Sequence, residues 1–402
     1  MTLSPAELDD LKSRPENDCA EIAGKWVRLR KRGGRIMGPC PLCSTDPQGR
    51  TAARFEIKDH GQAWTCAVCR DGGDVIKLVM KHEYLEFRAA VEWLGGARVI
   101  DPAVAERRAK ERAEKRAESD AKAERYRQDT RKRMYAIWNG ALPIAGTLAE
   151  AYLRHRGIDP PSFDGLRLRF VAELPFFDGE EEGEDGRKYA RIIYRGPALV
   201  APITDNAGKF RGCQFTCIDL AQRNGKAVII DPDTGEPVDV KGRKSRGSTA
   251  AAHIDLIGSR QPEQIIAGEG TETTLSTWYA LAASGIDLSK TAFWALIDVG
   301  NIGGRAIEQI HYRDADGKPL QCPGPDPDLA EPGVALPASV KDVVLLGDNK
   351  NQFMVHCALY RGAQRWRAAN EALTVRVAWA PEGMDFNDMV RGEPETAVAE
   401  GV

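Results

Sequence analysis

The chain has 402 residues, of which 42% are hydrophobic and 29% are charged, with a formal net charge of −3. This size and composition are typical of a globular protein with two or three domains. No apolar run reaches the ~18 residues that a membrane helix needs, and the N-terminus lacks the apolar core of a signal peptide. We therefore expect no membrane partner and a cytoplasmic location.

The N-terminal part of the chain, residues 1–98, predicts a short helix, a ribbon of strands and one further helix. That further helix begins at about Asp74, has apolar residues at helical spacing as far as Leu94, and ends at Gly95-Gly96. A segment rich in Ala, Glu, Lys and Arg then predicts a long exposed helix between domains. A solvated charged helix and a direct contact with nucleic acid are both open for this segment.

Two kinds of sheet are predicted beyond this helix. Residues 190–240 consist of short β-rich runs separated by Gly, Asn and Asp turns, which favours antiparallel strands. Residues 264–380 alternate apolar strands with helices, which favours a parallel α/β sheet. The Pro- and Gly-containing segment 313–337 reads as an inserted surface loop.

Four of the nine cysteines have the spacing of metal ligands, C-x2-C-x22-C-x2-C. They are Cys40, Cys43, Cys66 and Cys69. Each pair can direct two thiolates at one point, and two pairs complete a tetrahedron around Zn²⁺. Four protein ligands leave no open position for a reactive water, so we expect a structural zinc ion.

Basic and aromatic residues surround the cysteines, as single-stranded nucleic acid binding requires, since cations bind phosphates and rings stack on bases. The residues assigned to the template on this ground are Arg28, Arg30, Arg32 and Trp64. The alternative for the aromatic residues is that Phe55 and Trp64 pack the ribbon against the following helix.

Two acidic residues follow apolar strands of the predicted parallel sheet. Glu269 follows "QIIAG" and precedes a helix, and Asp348 follows "DVVLLG". Carboxylates at this sheet edge make an oxygen site suited to Mg²⁺ or Mn²⁺, although either residue could instead cap a helix. A basic loop that precedes Glu269 in the sequence is predicted to bind the triphosphate or the template phosphates. The alternative is that this loop is merely solvated. Its cations are Lys241, Arg243, Lys244 and Arg246.

Two stretches resemble a known family. Residues 35–96, with "CPLC", "TCAVC", "GGD" and "FRAAVEWL", resemble the zinc-binding domain of DnaG-type bacterial and phage primases. Residues 262–392, with Glu269, Asp348 and the closing "GMDFND", resemble a Toprim domain, and residues 146–260 look like the region that precedes it. The resemblance implies metal-dependent, templated joining of ribonucleotides.

One position departs from the Toprim pattern. Lys350 stands where the family has the second residue of an Asp-x-Asp pair. An ammonium there removes a metal ligand and repels Mg²⁺. Asp385 and Asp388 are assigned to supply the missing oxygen; alternatively, one metal ion binds, or Lys350 contacts a phosphate directly.

We therefore expect an α+β multidomain chain. Its parts are a zinc-ribbon nucleic-acid-binding domain (1–98), a charged helical linker (99–145), a mixed α/β primase-core subdomain (146–260) and a Toprim catalytic domain with a parallel sheet (261–402). The resemblance implies RNA primer synthesis on single-stranded DNA from ribonucleoside triphosphates, in a phage, plasmid or integrated element. The sequence has no G-x-x-x-x-G-K-[ST] loop, so a replicative helicase would be a separate partner. The alternatives are a non-catalytic single-strand-binding loader or regulator, which Lys350 favours, and a Toprim nuclease.

Overall fold

The computed structural model describes residues 5–32, 35–44, 55–58, 61–66, 71–96, 102–182, 188–233, 235–238, 242–313, 319–348 and 353–392. The chain divides into two compact units, Met1–Lys122 with His311–Cys322, and Ala123–Ile310 with Pro323–Val402. None of the helices in the described ranges has both the length and the apolar character needed to cross a bilayer.

The first unit contains a small antiparallel sheet between helices. Two helices precede the sheet, α1 (Pro5–Ser13) and α2 (Cys19–Gly24). The strands pair in sequence order: β1 (Arg30–Arg32), β2 (Arg35–Gly38), β3 (Phe55–Lys58), β4 (Ala63–Cys66) and β5 (Asp71–Gly73). Two helices follow, α3 (Val75–His82) and α4 (Phe87–Trp93). Residues from every one of these helices pack on the inner face of the sheet around Phe55 and Trp64.

The single helix predicted from Asp74 to Gly95 is wrong, because the structure has two helices there. Tyr84 lies between α3 and α4 in the left-handed region, with φ 55°. The Leu85 N–H donates to the Met80 carbonyl at 3.0 Å, which closes α3 in the manner of a helix C-cap. Neither Gly nor Pro marks this break, so the sequence lacked the usual stop signal.

The long charged helix is confirmed as α5 (Pro102–Gly140), which has 39 residues. Its side chains from 117 to 129 are exposed. Near its end Met134, Ile137 and Trp138 pack against buried residues of the second unit. Arg169 fixes this end, because its Nη1 donates to the Trp138 carbonyl at 2.7 Å.

The second unit is built on a ten-stranded sheet among the described residues. Its antiparallel part contains β6 (Leu142–Pro143), α6 (Leu148–His155), β7 (Arg169–Glu182), β8 (Lys188–Asp205), β9 (Phe210–Cys217), β10 (Arg243–Gly247) and β11 (Ala252–Gly258). The parallel part begins with β12 (Gln264–Gly268), α7 (Thr271–Ala283), β13 (Thr291–Ala295) and α8 (Val299–Gly303). A separate two-stranded sheet of β14 (Gln309–Arg313) and β15 (Pro319–Pro323) follows in the sequence, and most of it belongs to the first unit. The chain then forms β16 (Asp342–Gly347), α9 (Phe353–Ala369), β17 (Thr374–Trp379) and α10 (Phe386–Arg391).

The strand order is β10-β9-β8-β11-β13-β12-β16-β17, with β7 on β8 and β6 on β7. Strands β13, β12, β16 and β17 are mutually parallel, as predicted for this region. Alternate residues of β12 face opposite sides, so that Ile266 packs in the core that contains Leu275 of α7, whereas Ile265 packs with Leu359 of α9. The sheet is therefore covered by helices on both faces, which leaves its strand ends as the open edge.

The segment 313–337 is not simply a surface loop, which corrects the prediction for its described part. Val334 is buried, and the Trp366 indole of α9 donates to its carbonyl at 2.6 Å. The Arg365 guanidinium donates to the carbonyls of Asp328 and Glu331 at 2.8 Å each. These bonds fix residues 328–334 against α9 because they satisfy backbone carbonyls that are buried or partly buried.

Candidate functional site

Three of the four predicted zinc ligands lie together. The Sγ atoms of Cys40, Cys43 and Cys66 are within 4.8 Å of one another, and those of Cys43 and Cys66 are 3.8 Å apart. Zn–S bonds of about 2.3 Å in a tetrahedron separate the sulfurs by about 3.8 Å, so these thiols fit zinc. The Leu42 N–H donates to Cys40 Sγ at 3.4 Å and would stabilise a thiolate there. Cys69 lies outside the described residues.

Trp64 does not face solvent, which corrects its assignment to the template. The side chain is fully buried, its indole N–H donates to the Asp74 carbonyl at 3.0 Å, and its ring stacks on Phe55 with centroids 5.6 Å apart. A buried ring offers no face to a base, so the structure supports the alternative for both aromatic residues, namely that they pack the ribbon against the following helix.

Two of the basic residues assigned to the template lie on the surface of the first unit. Arg28 and Arg30 are exposed, and Arg30 belongs to β1, the edge strand of the small sheet. The side chain of Arg32 lies outside the described residues. Exposed cations along a sheet edge are suited to backbone phosphates, so their contact with a template stays a prediction.

In the second unit, the two predicted acidic ligands follow neighbouring parallel strands. Ala267 of β12 pairs with Leu345 of β16, so Glu269 and Asp348 leave the sheet at the same edge, one residue out of register. On the other side of β12, Gly268 pairs with Ala295 of β13, and that strand leads to a third carboxylate, Asp298. Sequence reasoning missed Asp298, although it also follows an apolar strand.

Glu269 and Asp298 line a common cavity of about 300 Å³ together with Met354 and Arg361. Burial raises the pKa of the Glu269 carboxyl above its ordinary value, the Arg243 guanidinium opposes this rise, and the Asp298 charge adds to it. Two neighbouring carboxylates are stabilised when a cation binds between them. The oxygen donors at this edge therefore suit a divalent ion such as Mg²⁺ or Mn²⁺.

The backbone is strained next to Asp298. Ile297 is buried and has φ 76°, a conformation that β-branched residues rarely adopt. The turn lets the Asp298 side chain accept from the Asn301 N–H at 2.8 Å, which caps α8. Such strain persists only where the surrounding structure enforces it, and it is concentrated at functional sites.

The prediction of a basic loop is wrong for its described residues, because Arg243–Gly247 form strand β10, and the cations are divided between the two faces of this strand. Arg243 lies on the acidic side, 3.9 Å from the carboxylate of Glu272. Lys244 and Arg246 instead donate to the Phe177 carbonyl at 2.9 and 3.3 Å, and Lys244 lies over the Phe176 ring. Lys241 lies outside the described residues. Of the described cations on this strand, Arg243 is the one whose charge acts on Glu269.

Glu272 is a buried carboxylate at the start of α7 that sequence reasoning missed. Its Oε1 accepts from the Tyr152 hydroxyl at 2.6 Å and from Lys226 Nζ at 2.8 Å. Burial alone would raise the pKa of Glu272, but Lys226 and Arg243 hold it well below its ordinary range. An acidic residue inside the otherwise uncharged helix "TETTLSTWYALAA" was the available signal, whereas its partners could not be identified from sequence.

Asp385 and Asp388 form a capping box at the start of α10. The Asp385 side chain accepts from the N–H groups of Asn387 and Asp388 at 2.8 Å, and Asp388 Oδ2 accepts from the Asp385 N–H at 3.0 Å. Asp388 is fully buried. These bonds are a sufficient structural reason for both carboxylates, and their assignment to magnesium stays a prediction. Lys350 lies outside the described residues.

Comparisons with family models match two parts of the chain. Residues 3–110 match the CHC2 zinc finger, the zinc ribbon of DnaG. Residues 128–247 match a domain of unknown function (DUF7146). The prediction of an N-terminal zinc ribbon of the primase type is thereby confirmed, and the cluster of Cys40, Cys43 and Cys66 fits its structural zinc ion.

The curated relatives include DNA primases. The chain is 27% identical to the DNA primase of Listeria monocytogenes over 42% of this chain and 26% of the relative. It is 26% identical to the DNA primase of Listeria innocua over 58% of this chain and 38% of the relative. It is 27% identical to the DNA primase of Streptomyces coelicolor over 53% of this chain and 34% of the relative. The matched part thus spans well under half of each relative. Among solved structures, the Aquifex aeolicus primase (zinc binding and RNA polymerase domains) matches with 14% identity over 97% of this chain and 83% of that chain, at a TM-score of 0.35.

Proposed function

We propose that this chain, with its primase-type zinc ribbon and its DNA primase relatives, synthesises short RNA primers on single-stranded DNA during replication of a phage, plasmid or integrated element. In this reaction a 3′-hydroxyl oxygen attacks the α-phosphate of a ribonucleoside triphosphate and diphosphate leaves. The second unit would be the catalytic part, with its parallel sheet acting as a Toprim domain, and the first unit would bind the template.

Glu269 and Asp348 carry this proposal, because they leave adjacent parallel strands at one open sheet edge. They would hold a divalent metal ion, with Asp298 adding negative charge beside Glu269. Such an ion neutralises charge that develops on the phosphates when it is bound. The charge of Arg243 acts on Glu269, and this guanidinium would bind the triphosphate.

The test is primer synthesis by the full chain on a single-stranded template, with Mg²⁺ or Mn²⁺ and labelled ribonucleotides. We expect short labelled products, reduced by about 100-fold or more in Glu269→Gln, since loss of a metal ligand removes transition-state stabilisation. The matched control is Glu263→Gln, which makes the same change at the opposite end of β12, where Glu263 pairs with Lys290 and Lys341. Products should persist in this control.

A second candidate function is a non-catalytic loader or regulator that binds single-stranded DNA. Lys350 favours it, because a lysine in place of the second acidic residue weakens a metal site. Template binding without products, from both the wild type and Glu263→Gln, would favour this candidate. Shortening of the template would instead indicate a nuclease.

A further inference from the structure

The proposed reaction assigns no role to Glu272, although Glu272 is among the most buried charged side chains described. It is 5% exposed and is held by three elements of the second unit: α6 through Tyr152, the turn before Lys226, and β10 through Arg243. A carboxylate is retained in such a place only when its partners are charged or hydrogen-bonded. Its two oxygens have different partners, since Oε1 takes Tyr152 and Lys226, whereas Oε2 faces Arg243.

Arg243 lies within the electrostatic reach of two carboxylates. Its Nη1 is 3.9 Å from Glu272 Oε2, and its charge also acts on Glu269. Between these two acids stands Gly270, where a Cβ would lie 3.1 Å from Arg243 Nη1. The guanidinium therefore lies against the backbone that joins Glu269 to Glu272.

We propose that Glu272 is a positioning residue that holds the Arg243 guanidinium away from Glu269 and so keeps Glu269 available for a divalent cation. This inference rests on the proposed function, in which Glu269 is a metal ligand. Without the charge of Glu272, Arg243 pairs with Glu269 and competes with the cation for the same oxygens. Residues beside a metal ligand commonly set its affinity in this way.

The test measures Mn²⁺ binding to the full chain by electron paramagnetic resonance, without template or nucleotide. We expect Glu272→Gln to weaken Mn²⁺ binding by about tenfold, the order expected for one released charge near a partly exposed site. In an Arg243→Gln background the same change should have a clearly smaller effect, since the competing guanidinium is gone. Glu263→Gln is the matched control and should bind Mn²⁺ as the wild type does.

Two further variants separate positioning from folding. Tyr152→Phe removes a partner of Oε1 and leaves Arg243 and Oε2 in place, so it should lower stability without changing Mn²⁺ affinity. Glu272→Asp keeps the charge but withdraws it from Arg243, and it should weaken Mn²⁺ binding by about threefold with the fold retained. If Glu272→Gln does not fold, Glu272→Asp decides the question.

The inference fails if folded Glu272→Gln, or Glu272→Asp in its place, binds Mn²⁺ with wild-type affinity, or if the loss is as large in the Arg243→Gln background. Failure of the proposed metal site looks different: the wild type would then show no Mn²⁺ binding that Glu269→Gln removes.

Discussion

The hydroxyl of Tyr152 donates to Glu272 Oε1 at 2.6 Å, although the two residues are 120 positions apart. Both side chains are buried, and burial together with the Glu272 charge raises the pKa of Tyr152 well above its ordinary value. The phenol therefore stays protonated and donates at all physiological pH values. This bond joins α6, which lies between strands β6 and β7 in the sequence, to α7, the helix that follows Glu269.

Replacing Tyr152 by Phe should lower the free energy of unfolding of the second unit by about 1–3 kcal/mol, because a buried carboxylate loses a donor and no water replaces it. Urea denaturation followed by far-ultraviolet circular dichroism measures the change. Tyr360→Phe is the matched control, since Tyr360 is 59% exposed, and it should change stability by less than about 0.5 kcal/mol. Equal stability of both variants would contradict the importance of the bond.

His253 should make the second unit sensitive to acid. Burial lowers its pKa from 6.5 to about 4, its ring stacks on Trp294, and its Nδ1 has no hydrogen-bond partner among the described residues. Because the folded pKa is lower than the unfolded one, the stabilisation is complete above pH 6.5 and decreases as the pH falls towards 4. We expect a loss of about 2 kcal/mol between pH 7 and pH 5.

Denaturant unfolding of His253→Phe at the two pH values tests this expectation, because the phenyl ring keeps the stack and removes the titration. The pH-dependent loss should shrink by about 2 kcal/mol. His356→Phe is the control, since His356 also stacks on a tryptophan, Trp379, but is exposed. An unchanged pH dependence in His253→Phe would show that other groups cause the acid sensitivity.

Cys66→Ser should release zinc and weaken single-strand binding while the second unit stays folded. The thiol of Cys66 lies 3.8 Å from that of Cys43, and small metal-binding modules obtain most of their folding energy from the ion. A colorimetric chelator assay measures zinc, fluorescence anisotropy with a labelled oligonucleotide measures binding, and proteolysis reports the second unit. Cys357→Ser, outside the thiol cluster, should retain zinc. Cooperative unfolding of the whole chain in Cys66→Ser would show that the units do not fold separately.

Lys350→Asp should raise the affinity for Mg²⁺ or Mn²⁺ by about tenfold, since it replaces a repelling ammonium by a carboxylate two residues after Asp348. Isothermal titration with Mn²⁺ measures the change. Lys341→Asp makes the same change of charge at the other end of β16, next to Asp342, and serves as the control. Identical titration curves for Lys350→Asp and the wild type would mean that position 350 does not face the metal site.

Features with a local pattern could be predicted from the sequence. The stretch predicted as a helix, "TETTLSTWYALAA", coincides with Thr271–Ala283, because helical spacing and flanking strands are visible within a short window. The same holds for the cysteine spacing and for the parallel strands around Glu269. The break at Tyr84 was missed, since a left-handed tyrosine carries no compositional signal.

The direction in which a side chain points was harder to predict from the sequence. Arg243, Lys244 and Arg246 form one basic group in the sequence, but successive residues of a strand face opposite sides, so β10 divides them. Trp64 resembles a nucleic-acid contact by composition, whereas its burial follows from the packing of α2, α3 and β3 around it.

The sequence alone determined that the chain carries an N-terminal zinc ribbon of the primase type, a long charged helix and a parallel α/β region with acidic strand ends, because each depends on residues close together in the chain. Only the tertiary structure decided that Asp298 and Glu269 line one cavity. It alone showed that the partners of Glu272 are Tyr152, Lys226 and Arg243. It also showed that Asp385 and Asp388 cap a helix. The physical reason is that a buried charge must find its compensating groups wherever the fold brings them, and those groups come from segments far apart in sequence.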